Sequence, residues 1–453
     1  MSQPESESEG AGTDAAVHAQ YEEYPYPARV PEDERTNLIV RTFGRLDSVS
    51  HHCYGGRQDF RRFRVLAAGG GTGDSTIFWG EQLRGRGGSE VVYLDLSSAS
   101  MGVARRRAEI RQLDNIRWVN DSLLNLPGLG LGQFDFVDCT GVLHHLEDPQ
   151  AGLDALVSVL APGGAMNLAV YAPYGRTVVY QMQELMRLVN APEEGSSRRV
   201  ANTRAVLESL PPYHWVNVAA NAGLPVGDLT SDAALFDTFL HARDRAYTIT
   251  QVHELLDRSG LELAGEPGTY YEQMHYLPET FIKDPALRER VGHYPLRRRQ
   301  AIAEVMSGRL SMHEFYVVRA GEGGREARVT DTTLVPWEGM DVGVPLARIA
   351  AYAEQQADDF TFRLPELPGK PLRISKTRLT ASFLRLIDGQ RSIAELYAAV
   401  KAAVPGASDA ELTLAFSALF RNLNRGHALF LRHPDNPAFP QLSEMHARVA
   451  ASR

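Results

Sequence analysis

Between Phe63 and Tyr171 short apolar, β-branched runs alternate with stretches whose apolar residues recur at helical spacing, the pattern of a parallel sheet wound with helices. The runs RVLAA (64–68), EVVYLDL (90–96), IRWVN (116–120), FDFVDCT (134–140) and AMNLAVY (165–171) predict five strands. TIFWGEQL, SASMGVARRRAEIRQL and DPQAGLDALVSVL predict the helices between them, with Pro162-Gly163-Gly164 stopping the last. The order reads strand, helix, strand, helix, strand, strand, helix, strand.

Further along, TITQVHELLDRSG (248–260) has a Thr start and a Gly stop and leads into LELAGE, and MHEFYVVRAG (312–321) reads as another strand. They would bring one α/β sheet to seven strands. Two segments, about 172–247 and 267–310, interrupt the pattern with helical, aromatic-containing sequence and are expected to cap a substrate site. Glycine, proline and charge then predict a linker over 326–360, within which VPLARIAAYAEQQ reads as a helix. Three amphipathic helices and the strand ALFLR predict a small, mainly α, winged-helix-like accessory domain over 361–436. The expected organisation is a disordered tail (1–20), a main domain (21–325), the linker and the accessory domain.

Composition narrows the function classes. A formal net charge of −9 and a pI near 5.9 argue against a whole-chain footprint for nucleic acid. The accessory segment, with eleven Lys/Arg against six Asp/Glu over 361–435, is mildly basic. No helix in it is dense enough in basic residues to read DNA, and a solvated basic face is the other reading of the charge. IDGQRSIAEL resembles small winged-helix modules that grip leader peptides for modifying enzymes, which implies substrate recruitment. Two cysteines, Cys53 and Cys139, give neither a disulfide framework nor metal-ligand spacing. The polar, acidic first twenty residues lack the features of a secretory signal, and no run approaches a membrane span. A cytoplasmic protein is expected, with no metal, and a homodimeric state is left open.

The turn after the first strand carries the chemistry. Gly69, Gly70, Gly71 and Gly73 stand before a helix, an arrangement that offers backbone N–H groups to a polar or anionic ligand. Their G-x-G-x-G spacing, with Asp74 following, departs from the G-x-G-x-x-G of dinucleotide oxidoreductases. VLAAGGGTGDST followed by VVYLDLSSASMGVARRRA resembles the first two motifs of the class I, Rossmann-like S-adenosylmethionine-dependent methyltransferases, over about residues 60–175. The resemblance implies a Rossmann-like fold, S-adenosylmethionine as cofactor, and a methionine portion received by the glycine turn. It places both ribose hydroxyls on Asp95, with Leu96 beside it, and the adenine amino group on Asp121 with Ser122. FDFVDCTGVLHHLEDP resembles the fourth-strand motif beside the transferred methyl and brings Thr140, Gly141, His144 and His145 to the carboxyl edge of the sheet, where open α/β sheets bind ligands. Many relatives carry an acid where this chain has Ala67, so Asp74 or a backbone group would have to orient the cofactor's amino group.

Each assignment has a structural alternative. Asp95 could instead cap the following helix, and Asp121 could be turn chemistry. His145 could take a proton from a nucleophile, or, with His144, only shape the pocket; Tyr21 and Tyr174 join it as candidates at the methyl-transfer centre. A Tyr21-Glu22-Glu23-Tyr24-Pro25-Tyr26-Pro27 segment and DTFLHARDRAYT (237–248) resemble features of a narrower bacterial group within the superfamily, some of whose relatives look like protein-modifying enzymes. They imply a lid in which Tyr24, Tyr26 and Glu23 meet substrate, or aromatics that merely pack; His241, Asp244, Arg245 and Tyr247 face the pocket or anchor the cap. The function implied is methyl transfer to a protein, peptide or small natural-product acceptor; the alternative is a non-catalytic scaffold that binds the cofactor.

Overall fold

The computed structural model describes residues 15–224, 226–265, 270–340, 345–362 and 372–450. Its centre is a seven-stranded sheet, β1 (Arg64–Ala68), β2 (Glu90–Asp95), β3 (Ile116–Asn120), β4 (Phe134–Thr140), β5 (Leu160–Tyr171), β6 (Leu261–Leu263) and β7 (Met312–Arg319), in the order β3-β2-β1-β4-β5-β7-β6. The first five strands are parallel and β7 runs antiparallel to both β5 and β6. This is the Rossmann-like sheet that the resemblance implies. Its strand order reverses at β1, so the carboxyl ends of β1, β2 and β4 open a crevice.

The helices α1 (Asp74–Leu83), α2 (Ser98–Ile110) and α3 (Pro149–Ser158) cover the sheet. Local chemistry sets their starts: the Ser97 hydroxyl caps α2, and Asp148 caps α3 with Pro149 in its first turn. Helix α3 ends before Pro162-Gly163-Gly164, and that triplet lies inside β5, at the register shift between Phe134 and Phe136. The expected helix stop is thus a strand irregularity. One face of the sheet buries Leu66, Val92, Val137, Leu156 and Leu168; the other buries Phe63, Val65, Trp79 and Phe136.

The interruption after β5 forms a helical cap that includes α4 (Thr177–Val189) and α5 (Asp232–Phe239), packed around Met182, Met186, Leu235 and Phe239. The helix α6 (Ile249–Arg258) opens on a full capping box between Thr248 and Gln251. The second interruption carries α7 (Leu296–Ser307), whose Glu304 accepts the Ile249 N–H at 2.9 Å.

The stretch expected as a linker is folded. It contains β8 (Val335–Glu338) and α8 (Leu346–Glu354). Leu334, Leu346 and Ile349 share one core with Phe383 of α9 (Thr380–Leu386), Leu396 of α10 (Ile393–Ala403) and Phe416 of α11 (Asp409–Arg425). β8 pairs antiparallel with β9 (Leu429–Arg432), so the wing strand of the accessory unit finds its partner in the presumed linker. Of the expected tail, residues 1–14 lie outside the described residues, while 15–20 are helical and continue as helix to 23. Among the described residues no helix is long and apolar enough to cross a membrane.

Candidate active site

The glycine turn joins β1 to α1, and positive φ at Gly69 (69°), Gly71 (50°) and Gly73 (102°) makes it a glycine conformation. Crowding by the protein itself adds to this. A β-carbon at Gly69 would lie 2.1 Å from Val142 Cγ2, and one at Gly70 2.3 Å from the Tyr93 ring. The Gly71 N–H donates to Asp95 Oδ2 at 2.7 Å, and the Ser97 N–H donates to Asp95 Oδ1 at 2.8 Å. Asp95 therefore ties the turn to the start of α2 while Ser97 does the capping. Each carboxylate oxygen keeps lone-pair capacity for another donor. Burial raises the Asp95 pKa, with the two backbone N–H groups opposing. Beside it Leu96 is exposed. Asp121 Oδ1 accepts from Ser122 N–H and Asn125 Nδ2, both at 2.7 Å, so the turn role exists whatever else the residue does.

Asp74 is committed elsewhere. Its carboxylate accepts two bonds from Arg29, at 2.9 and 2.6 Å, and one from Arg107 Nη1 at 2.7 Å. Burial opposes its ionisation, but the two guanidiniums prevail and hold its pKa down. The acid missing at Ala67 stands one strand away: Asp138 pairs with Ala67 in register and accepts from Ser75 Oγ (2.5 Å), Trp79 Nε1 (3.1 Å) and Asn167 Nδ2 (3.1 Å). Asn167 also donates to Glu314, whose carboxyl burial pushes up to about 7 and which Arg41 approaches at 3.3 Å.

The N-terminal segment lies over this edge. Thr72 Oγ1 donates to the Pro27 carbonyl at 2.7 Å, Ser97 Oγ to the Tyr21 carbonyl at 3.1 Å, and the Ser98 and Ala99 N–H groups to Glu22. Glu22 thus supplements the cap of α2 from outside that helix. Of the expected substrate contacts, Tyr24 stacks on Phe236 of the cap at 5.1 Å and Glu23 accepts from Ser196 Oγ at 2.7 Å. Both tie the N-terminal segment to the cap rather than leaving these side chains free for a substrate. Tyr26 is half-buried, and burial pushes its phenol up to about 12.

Beyond the end of β4, Thr140 is part-buried and Gly141 (φ 78°) has nothing within 4 Å of a would-be β-carbon. A short 3-10 turn then places His144 and His145, both buried. His144 stacks on Tyr171 at 3.9 Å, its Nδ1 accepts the Tyr171 N–H at 3.2 Å, and its buried Nε2 has no hydrogen-bond partner. His145 donates from Nδ1 to the Arg243 carbonyl at 2.7 Å and stacks on His241 at 3.8 Å. Burial holds His145 down at about 4 and His241 well below the usual imidazole range, so both are neutral near pH 7. Tyr21 reaches this cluster, its Oη 3.0 Å from Asp237 Oδ1 and 3.1 Å from His241 Nε2.

Some expected residues stand apart from the cluster. Tyr174 is exposed, and the tyrosine in the cluster is Tyr171, three residues earlier, the last residue of β5 at its carboxyl end. Arg245 is exposed and Tyr247 lies in the sheet core. Asp244 anchors the cap, accepting from Arg176 at 2.7 Å and Gln183 at 2.9 Å, while the Arg176 guanidinium lies 3.5 Å from the Tyr171 ring centroid. Asp237 was missed as a site residue. Its i, i+4 spacing to His241 was the available signal.

Residues 66–166 match a family described as a methyltransferase domain. An uncharacterized protein of Synechococcus sp. (syc1184_c) is 29% identical over 308 residues, covering 67% of this chain and 72% of that protein. The tRNA 5-carboxymethoxyuridine methyltransferase of Escherichia coli K12 is 31% identical over 116 residues, 25% of this chain and 42% of that enzyme. The chain thus spans less than half of the enzyme's length. In fold, PKMT2 from Rickettsia typhi matches with a TM-score of 0.62 at 13% identity, over 88% of this chain and 77% of that one; its complex with AdoHcy gives 0.60 at 12%, over 89% and 76%.

Proposed function

We propose that this chain, whose residues 66–166 form a class I S-adenosylmethionine-dependent methyltransferase domain, moves the methyl group of that cofactor onto a nucleophile of a protein, peptide or small natural product. The observation that carries the reading is Asp95: a part-buried carboxylate at the end of β2, fixed by two backbone N–H groups and still able to accept two hydroxyl protons. The donor set suits the cofactor. Asp95 would hold the ribose, Leu96 would offer an apolar face beside Asp121 and Ser122 for the adenine, and the turn at Gly69, Gly70, Gly71 and Gly73 would receive the methionine portion. Thr140 and Gly141 would border the methyl. When bound, the cofactor supplies a methyl group on a sulfonium, a good leaving group.

Direct displacement then asks the protein chiefly for position and exclusion of water. The Tyr21–Pro27 segment would close the edge, Arg176 and Asp244 brace the cap, and the Tyr171, His145 and His241 cluster would border the acceptor. The tRNA in the E. coli relative's name concerns that protein, and its match here covers the cofactor half only. An acidic chain with an enclosed aromatic site fits a peptide, protein or small-molecule acceptor better than a polyanion.

The test is mass spectrometry of proteins and metabolites from a strain lacking the gene and from its parent, combined with calorimetry of S-adenosylhomocysteine binding. A gain of one methyl group in the parent alone, with cofactor binding, is expected. Binding with no methylated product from any cell extract would establish the scaffold reading instead.

A further inference from the structure

We propose that Tyr21 and Asp237 form the proton-accepting pair of the methyl-transfer step, with His241 fixing the phenol between them. The inference rests on the reading above. Its starting point is the direction of three hydrogen bonds. His241 Nδ1 accepts the Arg243 N–H at 2.9 Å, so the ring of a neutral His241 carries its proton on Nε2. That proton points at Tyr21 Oη, 3.1 Å away, leaving the phenol's own proton for Asp237 Oδ1 at 3.0 Å. Tyr171 Oη approaches the other oxygen at 3.5 Å.

The charges around Asp237 are distinctive. Its described hydrogen bonds come from two phenols and no cation, since the nearby Arg176 is bonded to Asp244. Among the described residues the other titratable groups acting on it are Asp244, a like charge that raises it, the neutral His145 and His241, and Tyr26. Burial raises Asp237 to about 7, with the Tyr21 bond and Arg176 opposing. Tyr21 is itself pushed well above the phenol range by burial, so it passes a proton on rather than resting as a phenolate. The negative charges of Asp237 and, more weakly, Asp95 add to this rise.

A metal reading of the same cluster fails on the tautomer. His145, Asp237 and His241 offer ligand atoms within 4.8 Å of one another, the residue set of a two-histidine, one-carboxylate site. Ligation through His241 Nε2 would put that ring's proton on Nδ1, against the Arg243 N–H.

The step balances. The acceptor's lone pair forms the new bond to the methyl carbon, and the carbon–sulfur bond breaks with its electron pair left on sulfur. The acceptor's proton goes to Tyr21 Oη as the Tyr21 proton goes to Asp237. One buried positive charge and one buried negative charge disappear together, so no net charge is left in a low-dielectric site.

The test needs no acceptor. S-adenosylmethionine and S-adenosylhomocysteine differ by one positive charge, which favours ionised Asp237. The affinities of the full chain for both are measured by calorimetry from pH 5.5 to 8.5. The preference for S-adenosylmethionine is expected to rise about five- to tenfold across that range in the wild type, as for a carboxyl whose pKa the sulfonium lowers by roughly one unit. The rise should vanish in Asp237→Asn and persist in Asp237→Glu and Tyr21→Phe. A flat ratio in the wild type, or a rise that survives in Asp237→Asn, overturns the proposal, as does stoichiometric binding of zinc or ferrous iron that Asp237→Asn abolishes. Should neither cofactor form bind, the methyltransferase reading falls instead.

Discussion

Replacing Asp95 by alanine removes an acceptor that the fold uses and that the proposed function gives to the cofactor as well, and the two losses can be separated. In the folded chain the carboxylate receives Gly71 N–H at 2.7 Å and Ser97 N–H at 2.8 Å. Losing these costs stability of about 1–2 kcal/mol, because water reaches this part-buried position and re-solvates the orphaned donors. The ribose hydroxyls lose a charged acceptor worth about 1.5–3 kcal/mol, so affinity for S-adenosylhomocysteine should fall about ten- to hundredfold. Asp95→Asn keeps the volume but turns an NH2 group towards one of the two backbone donors, and should weaken binding at least tenfold. Calorimetry gives the affinities and a urea melt the stability. Because burial raises the Asp95 pKa, wild-type affinity should begin to fall on acidification at a higher pH than for an ordinary aspartate. An Asp95→Ala protein that melts normally and binds within twofold of wild type would refute the ribose assignment.

Gly69→Ala should destabilise by several kcal/mol, since its β-carbon would meet Val142 Cγ2 at 2.1 Å at a φ of 69°; adding Val142→Ala should restore part of the loss in a urea melt but leave the cost of positive φ, about 1 kcal/mol. Glu34 is buried and binds Arg107 Nε at 2.8 Å together with Arg111. Glu34→Gln leaves two buried guanidiniums short of a counter-charge and should cost about 3–5 kcal/mol in urea. Arg176→Met strips the cation from Asp244 and from the Tyr171 face, so limited proteolysis should cut the 172–247 cap sooner, with S-adenosylhomocysteine affinity changed less than threefold. His51, His144, His145, His241 and His427 are all held below the usual imidazole pKa by burial. The unfolded chain therefore binds the extra protons, and each histidine withdraws about 1.4 kcal/mol per pH unit as the pH falls below about 6.5. His253 is lowered by burial as well. Asp237 and Glu314, raised to about 7, act in the opposite sense, as do Asp95 and Glu338, which burial also raises; six histidines outweigh four carboxyls, and the melting temperature should fall between pH 6.5 and 5.

The sheet was legible because its information is local. Alternating apolar runs and helix caps such as Thr248 with Gln251 are short-range signals, and they located each strand to within a few residues. The expected linker was misread because β8 is stabilised by β9, almost a hundred residues later, and α8 by a core completed only by α9 to α11; composition sees glycine and proline there and not the partner. The active site divides along the same line. Asp95 follows from a motif within one strand–turn–helix unit. Asp237 and Tyr171 become site residues only when the cap folds back on β5 and Tyr21 returns from the N-terminus, with separations of 216 residues between Tyr21 and Asp237 and 66 between Tyr171 and Asp237. The cofactor half is therefore read from sequence, whereas the acceptor half is assembled by tertiary contacts. A buried carboxylate that accepts no described hydrogen bond from a cation is the mark that such assembly leaves, because the protein has brought it out of water without fully neutralising it.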